Sequence, residues 1–306
     1  MPKILITDKT SESGLKLLEK LNVDYDYVPG IEHDKLLEII DKYDAILVRG
    51  RTKVTKDVIE QGKKLRVIGR IGVGLDNIDV KFAKERGITV INAGDATADS
   101  VAELTIGLMI SLVRKINLGD LSFKKGIFAK NECKGIELHG KKLGIIGVGN
   151  IGSRVAKIAL AMGMVVLGYD VYPERIRKSG LEIQITPYED VLKNSDIITV
   201  HVPLLPQTRH MISKKEISMM KRGVFLINAA RVEIFDLSAI IWGLENGIIA
   251  GVALDSNKKP DDPLMKKLAE FPNTVITPHI GAQTEAAQEK AVKKVILDVV
   301  TILKSS

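Results

Sequence analysis

The stretch Lys141-Lys142-Leu143-Gly144-Ile145-Ile146-Gly147-Val148-Gly149-Asn150-Ile151-Gly152 is an apolar run that ends in the glycine pattern G-x-G-x-x-G. Gly147 allows a sharp turn after a strand, and Gly149 leaves the backbone open to close approach by a phosphate. Gly152 lets the following helix pack closely on the sheet. That helix is predicted over residues 153–162, and its first N–H groups would face an anion.

An acidic residue follows at the distance that such a loop requires. Residues 164–169 form a second apolar run, and Asp170 stands at its end, 18 residues after Gly152. A carboxylate there accepts hydrogen bonds from the two hydroxyls of a ribose and repels the 2′-phosphate of NADP. The glycine pattern alone is weak evidence, but the flanking strands, helix and acid make it specific. The sequence therefore predicts NAD as the cofactor.

Composition narrows the class of protein. The chain has 306 residues, 45% of them hydrophobic, which is enough for two domain cores, and no apolar stretch is long enough to span a bilayer. The N-terminus leads directly into a strand-like run, so we expect a cytoplasmic protein. Cys133 is the only cysteine, which excludes a disulfide within the chain and a multi-cysteine metal site. The net charge is +7, and the lysines are scattered among acids instead of forming a basic block. This pattern favours anionic small molecules over nucleic acid as partners.

Short apolar runs alternate with helical patterns along the chain, which indicates β-α-β units around parallel sheets. Besides the strand before Gly147, strands are expected at residues 4–7, 45–48, 65–69, 88–92, 164–169, 196–202, 223–228, 248–253 and 274–277. Residues 99–116 read as one long buried helix, and residues 117–140 as an irregular arm. The final helix, about residues 284–303, is expected to return to the first domain.

Three side chains follow predicted strands, where parallel sheets place their ligand-facing loops. His279 lies between Pro278 and a glycine turn, and imidazole exchanges protons near neutral pH. A loop histidine bonded only to backbone is the alternative. Arg231 suits a substrate carboxylate and the neighbouring carbonyl, unless it serves only as an ion-pair partner. Asp255 ends the next strand and is expected to contact the nicotinamide end of the cofactor.

These loops belong to motifs that run through the whole chain, and the chain resembles the D-isomer-specific 2-hydroxyacid dehydrogenases. Within that family it is most similar to the short-form D-3-phosphoglycerate dehydrogenase branch. Besides the glycine pattern, the matching motifs are Gly69-Arg70-Ile71-Gly72-Val73-Gly74-Leu75-Asp76-Asn77-Ile78-Asp79, Ser100-Val101-Ala102-Glu103-Leu104, His201-Val202-Pro203-Leu204, Asn228-Ala229-Ala230-Arg231 and Pro278-His279-Ile280-Gly281.

The resemblance implies an enzyme that passes a hydride between NAD and C2 of a 2-hydroxy acid. In it, His279 handles the proton, and Arg231 holds the carboxylate and carbonyl. The expected fold is α/β, with a Rossmann-type cofactor domain inserted into a flavodoxin-like substrate domain, both built on doubly wound parallel sheets. The cofactor domain is predicted over residues 97–283, and the substrate domain over residues 1–96 and 284–306. A homodimer is also implied, with residues 117–140 as its interface.

The resemblance also suggests which residues bind each ligand. The expected cofactor-binding residues are Gly147, Gly149, Asn150, Ile151, Gly152, Asp170, His201, Val202, Pro203, Thr208, Ala229, Ala230, Asp255, His279 and Gly281. The expected substrate-binding residues are Arg49, Arg51, Gly72, Val73 and Thr97. The run from Arg49 to Lys53 holds three cations and suits a phosphate-bearing acid, with a solvated basic turn as the alternative.

The sequence departs from the family pattern in three places. The family segment D-V-F-x-x-E-P, whose glutamate pairs with the histidine, reads Asp255-Ser256-Asn257-Lys258-Lys259-Pro260-Asp261-Asp262-Pro263 here and has no glutamate. Either Asp261 or Asp262 replaces it, or His279 works unassisted, or the protein is a weak catalyst. Val232 replaces a glycine, and a β-branched residue does not readily take positive φ. Thr97 replaces a frequent asparagine and can still donate a hydrogen bond.

The leading interpretation is NAD-dependent oxidation of D-3-phosphoglycerate in serine biosynthesis. A glyoxylate or hydroxypyruvate reductase is the enzyme alternative. An NAD-binding regulator without efficient turnover is the alternative from another class, because the fold alone does not determine activity.

Overall fold

The computed structural model describes residues 2–305 and contains two parallel β-sheets with helices between their strands. The strands are β1 (Lys3–Ile6), β2 (Asp24–Tyr27), β3 (Ala45–Val48), β4 (Val67–Arg70), β5 (Thr89–Asn92), β6 (Lys142–Ile146), β7 (Val165–Tyr169), β8 (Ile183–Ile185), β9 (Ile197–Val200), β10 (Val224–Asn228), β11 (Ile249–Asp255) and β12 (Thr274–Thr277). The α-helices are α1 (Glu12–Lys20), α2 (His33–Ile39), α3 (Lys56–Gln61), α4 (Val80–Glu85), α5 (Ala98–Val113), α6 (Ile116–Lys124), α7 (Asn150–Ala161), α8 (Pro173–Lys178), α9 (Tyr188–Asn194), α10 (Lys214–Met219), α11 (Leu237–Glu245), α12 (Pro263–Ala269) and α13 (Glu285–Lys304).

The chain divides into two compact units, one of residues 1–97 and 282–306 and the other of residues 98–281. Each unit has its own sheet and its own buried apolar clusters. None of the helices within residues 2–305 combines the length and the apolar character needed to cross a membrane.

The sheet of the first unit has five parallel strands in the order β2-β1-β3-β4-β5, which is the flavodoxin-like order. Its inner strands are short apolar runs buried on both faces, as expected for a parallel sheet between helices. Helix α13 packs on β4 so closely that a Cβ on Gly69 would lie 2.9 Å from the side chains of Val295 and Val299. The last helix of the chain therefore completes the core of the first unit.

The sheet of the second unit has seven parallel strands in the order β12-β11-β10-β9-β6-β7-β8. The strand order reverses between β6 and β9, and the loop after β6 carries the glycine pattern. Open α/β sheets bind their ligands at this kind of switch point. The predicted fold class, a Rossmann-type sheet together with a flavodoxin-like one, is confirmed.

The elements differ from the predicted ones at the sheet edges and around residue 115. Strands β2 and β8 lie at edges and were missed, because β2 alternates acids with tyrosines and β8 is only three residues long. The single helix predicted over residues 99–116 is wrong, since α5 ends at Val113 and Lys115 has a left-handed φ of 52°. Helix α6 occupies the start of the arm that was predicted to be irregular, and the Ile136 N–H donates to the freed Val113 carbonyl over 3.1 Å.

Candidate active site

The glycine loop after β6 shows why each glycine stands where it does. Gly147 has a φ of 92°, and a Cβ there would lie 2.9 Å from the carbonyl oxygen of His201 on the neighbouring strand end. A Cβ on Gly152 would come within 2.1 Å of the Gly147 carbonyl oxygen, so only glycine lets α7 approach the loop this closely. A Cβ on Gly149 would meet nothing within 4 Å. The loop therefore presents open backbone at Gly149, immediately before the N-terminus of α7, and this geometry fits a pyrophosphate.

Asp170, directly after β7, is fixed by the same loop. Its Oδ2 accepts the Val148 N–H over 2.9 Å, and its Oδ1 accepts the Tyr172 N–H over 2.9 Å. Each carboxylate oxygen has more than one acceptor site, so both can also accept a ribose hydroxyl. The residues present therefore fit a dinucleotide whose ribose has free hydroxyls.

His201 follows β9 and behaves as a neutral, structural side chain. Thr199 Oγ1 lies 3.0 Å from its Nε2, and its Nδ1 is buried without a hydrogen-bond partner among the described residues. Burial lowers the pKa of His201 to about 4, so the ring carries no charge at neutral pH. Thr208 shapes the loop that follows, because its hydroxyl donates to the Pro203 carbonyl over 2.6 Å. His201 is therefore poorly suited to exchange protons near pH 7.

Arg231 lies on the loop after β10, and Asn228 determines the shape of that loop. The buried Asn228 side chain accepts the Ala230 N–H over 3.0 Å and donates to the Arg231 carbonyl over 2.9 Å. Val232 begins a 3₁₀ turn, Val232–Ile234, and its side chain is buried in the core of the second unit. Positive φ does not occur at Val232. The valine is therefore accommodated without the backbone strain that the sequence suggested.

His279 lies in the loop after β12, and a buried carboxylate organises this loop. Asp255, at the end of β11, is 2% exposed. Its Oδ1 accepts the Thr277 hydroxyl over 2.6 Å and the Ile280 N–H over 2.8 Å, and its Oδ2 accepts the Gly281 N–H over 2.8 Å. The His279 side chain is 47% exposed, and its Nδ1 lies 3.9 Å from Asp255 Oδ2.

Arg231, Asp255 and His279 thus lie at or just after the ends of three adjacent strands, β10, β11 and β12, at the carboxyl edge of one sheet. The sequence predicted this shared edge but assigned Asp255 only to the cofactor. Its contact with the His279 loop was missed. The available signal was the position of Asp255 at a strand end, beside the strand that leads to His279.

The two aspartates that could replace the missing glutamate have other positions. Asp262 caps the N-terminus of α12, where its Oδ1 accepts the N–H groups of Leu264 and Met265 over 3.0 and 3.2 Å. Its Oδ2 lies 2.7 Å from Lys258 Nζ, and that hydrogen bond lowers the pKa of Asp262. Asp261 is exposed. Asp255 is the carboxylate for which a contact with His279 is observed.

The basic loop after β3, in the first unit, is held by Asp8. Asp8 Oδ2 accepts the Arg49 N–H over 2.5 Å, and its Oδ1 accepts the Thr52 hydroxyl over 2.9 Å. Arg51 turns to Glu32, with 3.0 Å between Nη2 and Oε1. Lys53 is exposed. The three cations therefore differ in what holds them, and Arg51 already has an acidic partner.

The other predicted substrate contacts in this unit are a loop and a buried threonine. Gly72 has a φ of 146°, and Val73 beside it is 41% exposed. The Asn92 side chain donates to the Val73 carbonyl over 2.6 Å. Thr97 is only 3% exposed.

Comparison with known proteins shows which proteins this chain is similar to. Residues 106–281 match the model of the D-isomer specific 2-hydroxyacid dehydrogenase, NAD binding domain. A D-3-phosphoglycerate dehydrogenase of Methanocaldococcus jannaschii is 45% identical over 293 residues, which cover 95% of this chain and 55% of that protein. A hydroxypyruvate reductase of Thermotoga maritima is 42% identical over 294 residues, which cover 94% of each chain.

Solved structures of the same architecture are also similar. A D-lactate dehydrogenase of Aquifex aeolicus, crystallised with NAD and lactic acid, matches with a TM-score of 0.85 and 31% identity, over 99% of this chain and 96% of that one. The chain spans little more than half the length of several D-3-phosphoglycerate dehydrogenases that it matches, 55% and 57% in two archaeal cases.

Proposed function

Because this chain belongs to the D-isomer specific 2-hydroxyacid dehydrogenase family, we propose that it oxidises D-3-phosphoglycerate with NAD. The observation that carries the proposal is the placement of Arg231 and His279 on loops at the carboxyl edge of the sheet that also holds the glycine loop. The 45% identity to an archaeal D-3-phosphoglycerate dehydrogenase supports this substrate. The proposal includes a cytoplasmic role in serine biosynthesis.

The proposed reaction removes two hydrogens from C2 of the acid and its hydroxyl. The C2–H bond breaks and both of its electrons leave with the hydrogen as hydride, which NAD accepts when bound. The hydroxyl O–H bond breaks, its proton passes to Nε2 of His279, and a carbonyl forms at C2. His279 suits this role because its side chain is 47% exposed on a strand-end loop, whereas His201 is buried and neutral.

Arg231 holds the acid in place in this proposal. A guanidinium offers two parallel N–H donors to a carboxylate and draws electron density from a neighbouring carbonyl oxygen. The buried Asn228 fixes the backbone on both sides of Ala230, so the Arg231 main chain is already placed before any ligand binds. Pre-organisation of this kind lowers the entropy that a ligand contact loses on binding.

We further propose that Arg49, Arg51, Gly72, Val73 and Thr97 contact the substrate. The support lies in the basic loop after β3, whose backbone Asp8 holds through the N–H of Arg49 and the side chain of Thr52. An exposed Lys53 and the net charge of +7 are compatible with a phosphorylated acid. Arg51 contributes only if it leaves Glu32.

A hydroxypyruvate reductase is the second candidate, and one observation favours it. The Thermotoga maritima protein of that name is 42% identical to this chain over 294 residues. The two candidates differ in the phosphate on the third carbon. The basic loop after β3 is therefore the part of the chain whose substitution separates them.

We also propose a homodimer that buries the arm after α5. Five large apolar side chains there are more than half exposed: Ile116 (53%), Leu121 (53%), Phe123 (72%), Ile127 (57%) and Phe128 (81%). Large exposed apolar side chains grouped in one segment favour an interface there. Sedimentation should show a dimer for the natural chain and a monomer for the Phe123→Ser, Phe128→Ser double variant. A natural chain that sediments as a monomer would contradict the proposal.

The activity is tested by following NADH absorbance with a panel of substrates. We expect NADH to form from D-3-phosphoglycerate with a higher kcat/KM than from D-glycerate or glycolate. The Arg49→Gln, Lys53→Gln double variant should lose the preference for the phosphorylated acid. A preference for D-glycerate would favour the hydroxypyruvate reductase instead. Tight NADH binding without turnover of any 2-hydroxy acid would leave only a regulatory role.

A further inference from the structure

We propose that a phosphate group is bound at the carboxyl edge of the sheet in the first unit, between the loops after β1 and β3, with Lys9 and Arg49 as its cations. Lys9 lies outside the sequence motifs that match the family. The inference deepens the proposed function and rests on it, because the phosphate is taken to be that of D-3-phosphoglycerate. Lys9 is then a specificity-determining residue for the reaction.

The strand order of the first unit forms a crevice between these two loops. The order β2-β1-β3-β4-β5 reverses between β1 and β3. Leu18 of α1 packs with Ile4 and Ile6 on one face of the sheet. Val58 of α3 packs in the same cluster as Leu5, whose side chain points to the opposite face. The helices after β1 and β3 therefore diverge, and open sheets of this order bind ligands at such a switch point.

Hydrogen bonds between the two loops fix their positions. Asp8, just after β1, is 5% exposed, and its Oδ2 accepts the N–H groups of Arg49 and Thr52 over 2.5 and 3.3 Å. Its Oδ1 accepts the Thr52 hydroxyl over 2.9 Å. In the other direction, Arg49 Nη1 donates to the Lys9 carbonyl oxygen over 3.4 Å. The Arg49 guanidinium therefore lies against the loop after β1, within reach of a ligand that also contacts Lys9.

The cations on these loops differ in their acidic partners. Arg51 Nη2 lies 3.0 Å from Glu32 Oε1, so its charge is already engaged. Lys9 and Arg49 have no acidic side chain within 4 Å among residues 2–305. Lys9 and Arg49 are therefore free to bind an anion, and Arg51 can remain with Glu32.

Exposed acids near the two loops in sequence are paired with other side chains. Glu12, at the start of α1, lies 2.6 Å from Lys16. Asp57, at the start of α3, lies 2.7 Å from His33 Nε2. Together with the hydrogen-bonded Asp8, these contacts account for the carboxylates close to Lys9 and Arg49 in sequence. The charge that the crevice offers to a ligand is therefore positive.

The loop after β1 also carries a hydroxyl without a partner. Oγ1 of Thr10, the residue after Lys9, is buried and has no hydrogen-bond partner in the part of the chain that the structure describes. The Thr10 N–H donates to the Tyr27 hydroxyl over 3.4 Å. Buried hydroxyls are rarely left without a partner. A phosphate oxygen bound beside Lys9 would give this hydroxyl a charged acceptor.

The two cations suit a phosphate in complementary ways. A guanidinium offers parallel N–H donors in a fixed plane, and an ammonium offers a compact charge on a flexible chain. D-glycerate has a neutral hydroxyl where D-3-phosphoglycerate has its phosphate, so it gains little from either charge. Lys9 and Arg49 together would therefore favour the phosphorylated acid.

The test compares Lys9→Gln, Lys9→Arg and Lys20→Gln in the whole protein. We measure kcat/KM for D-3-phosphoglycerate and for D-glycerate and take their ratio. Lys9→Gln should lower this ratio about tenfold, the effect of one lost hydrogen bond to a charged group. Lys9→Arg keeps the charge and should retain the ratio within about threefold. Lys20→Gln is the matched control, because it removes the same charge from the exposed far end of α1.

Thermal unfolding with inorganic phosphate provides a readout that does not depend on turnover. A ligand that binds only the folded chain raises its Tm, and phosphate is compared with chloride at equal ionic strength. Phosphate also stabilises proteins by exclusion from their surface, but that effect is shared by all variants. We expect phosphate to raise the Tm of the natural chain and of Lys20→Gln by more than that of Lys9→Gln or Arg49→Gln.

The outcomes separate this inference from the proposed function. A natural chain that prefers D-3-phosphoglycerate, with the same preference and the same phosphate-dependent Tm in Lys9→Gln, would overturn the inference alone. A natural chain without turnover of any 2-hydroxy acid would overturn the proposed function, and the Tm comparison would still show whether Lys9 binds phosphate. Loss of the phosphate effect on Tm in Lys9→Gln with an unchanged kcat/KM ratio would overturn the assignment of the site to the substrate, in favour of a free phosphate anion.

Discussion

The glycine loop after β6 and the histidine loop after β12 both contain a residue with positive φ, but the type of residue differs between them. In the glycine loop, the positive φ and the close approach of α7 fall on glycines, Gly147 and Gly152. In the histidine loop, the left-handed backbone falls on His279 itself, and Asp255 holds it from the neighbouring strand. A loop that binds through its backbone can use residues without side chains. A loop that must present an imidazole needs outside support.

The largest expected effect comes from a substitution in the histidine loop that leaves the glycine loop unchanged. His279→Asn keeps a side chain of similar polarity but cannot take up the proton. We expect kcat to fall about 1000-fold, within the range of general base catalysis, while the Kd for NADH changes little. Steady-state kinetics and fluorescence titration with NADH measure the two quantities. A parallel loss of NADH affinity would show that the histidine loop also builds the cofactor site.

We expect acid to destabilise the folded protein through His201, which lies beside the glycine loop. Burial lowers the pKa of His201 to about 4 from 6.5, so the unfolded chain binds a proton on this ring at a higher pH than the folded chain does. The unfolded state therefore holds more protons between these two values, and stability falls as the pH drops from 6.5 to about 4, by up to about 3 kcal/mol.

Urea unfolding of the natural chain and of His201→Gln at pH 7.5 and pH 4.5 measures this term. Between pH 7.5 and pH 4.5, the natural chain should lose more of its free energy of unfolding than His201→Gln does. An identical pH dependence in both would contradict a neutral, buried His201.

The close packing of α7 on the glycine loop is tested by Gly152→Ala. The added Cβ would lie 2.1 Å from the Gly147 carbonyl oxygen, so the helix must move, and we expect a loss of about 2 kcal/mol in the free energy of unfolding. Gly107→Ala is the matched control, because Gly107 lies in α5 of the same unit and a Cβ there meets nothing within 4 Å. That variant should gain up to about 1 kcal/mol from helix propensity. Equal effects of both substitutions would contradict the close approach.

The smallest expected effect concerns the choice of cofactor. Asp170→Asn keeps the shape of the side chain but removes the charge that favours ribose hydroxyls over a 2′-phosphate. We expect the Kd for NADH to rise about tenfold and the Kd for NADPH to fall, as measured by fluorescence titration. Unchanged discrimination would show that other residues choose between the two cofactors.

The contrast between the two loops also explains which parts of the molecule the sequence predicted. The glycine loop is local, so residues 141–152, the helical pattern that follows them and Asp170 sufficed to predict the turn, the helix and the cofactor. The parallel sheets were predicted because their inner strands are apolar runs, while β2 and β8 were missed at the edges. The support of His279 comes from Asp255, 24 residues earlier in sequence. The pairing of β11 with β12 brings Asp255 beside the loop that carries His279.

Val232 and Asp262 also show what a single sequence cannot predict. Val232 and the segment that lacks the usual glutamate depart from the family pattern, and the sequence suggested a strained loop at Val232 and a replacement carboxylate at Asp261 or Asp262. The structure gives Val232 an ordinary backbone with a buried side chain, and it uses Asp262 to cap α12. What a substitution does depends on the space and donors around it, which a single sequence does not contain.

The measurement that tests the central claim most directly is transfer of label from the acid to the cofactor. D-3-phosphoglycerate that carries deuterium at C2 is incubated with NAD and the natural chain, and the NADH is analysed by mass spectrometry. A dehydrogenase of this kind should yield NADH with one deuterium in its nicotinamide ring, and His279→Asn should yield almost none. NADH binding without any labelled product would contradict the account.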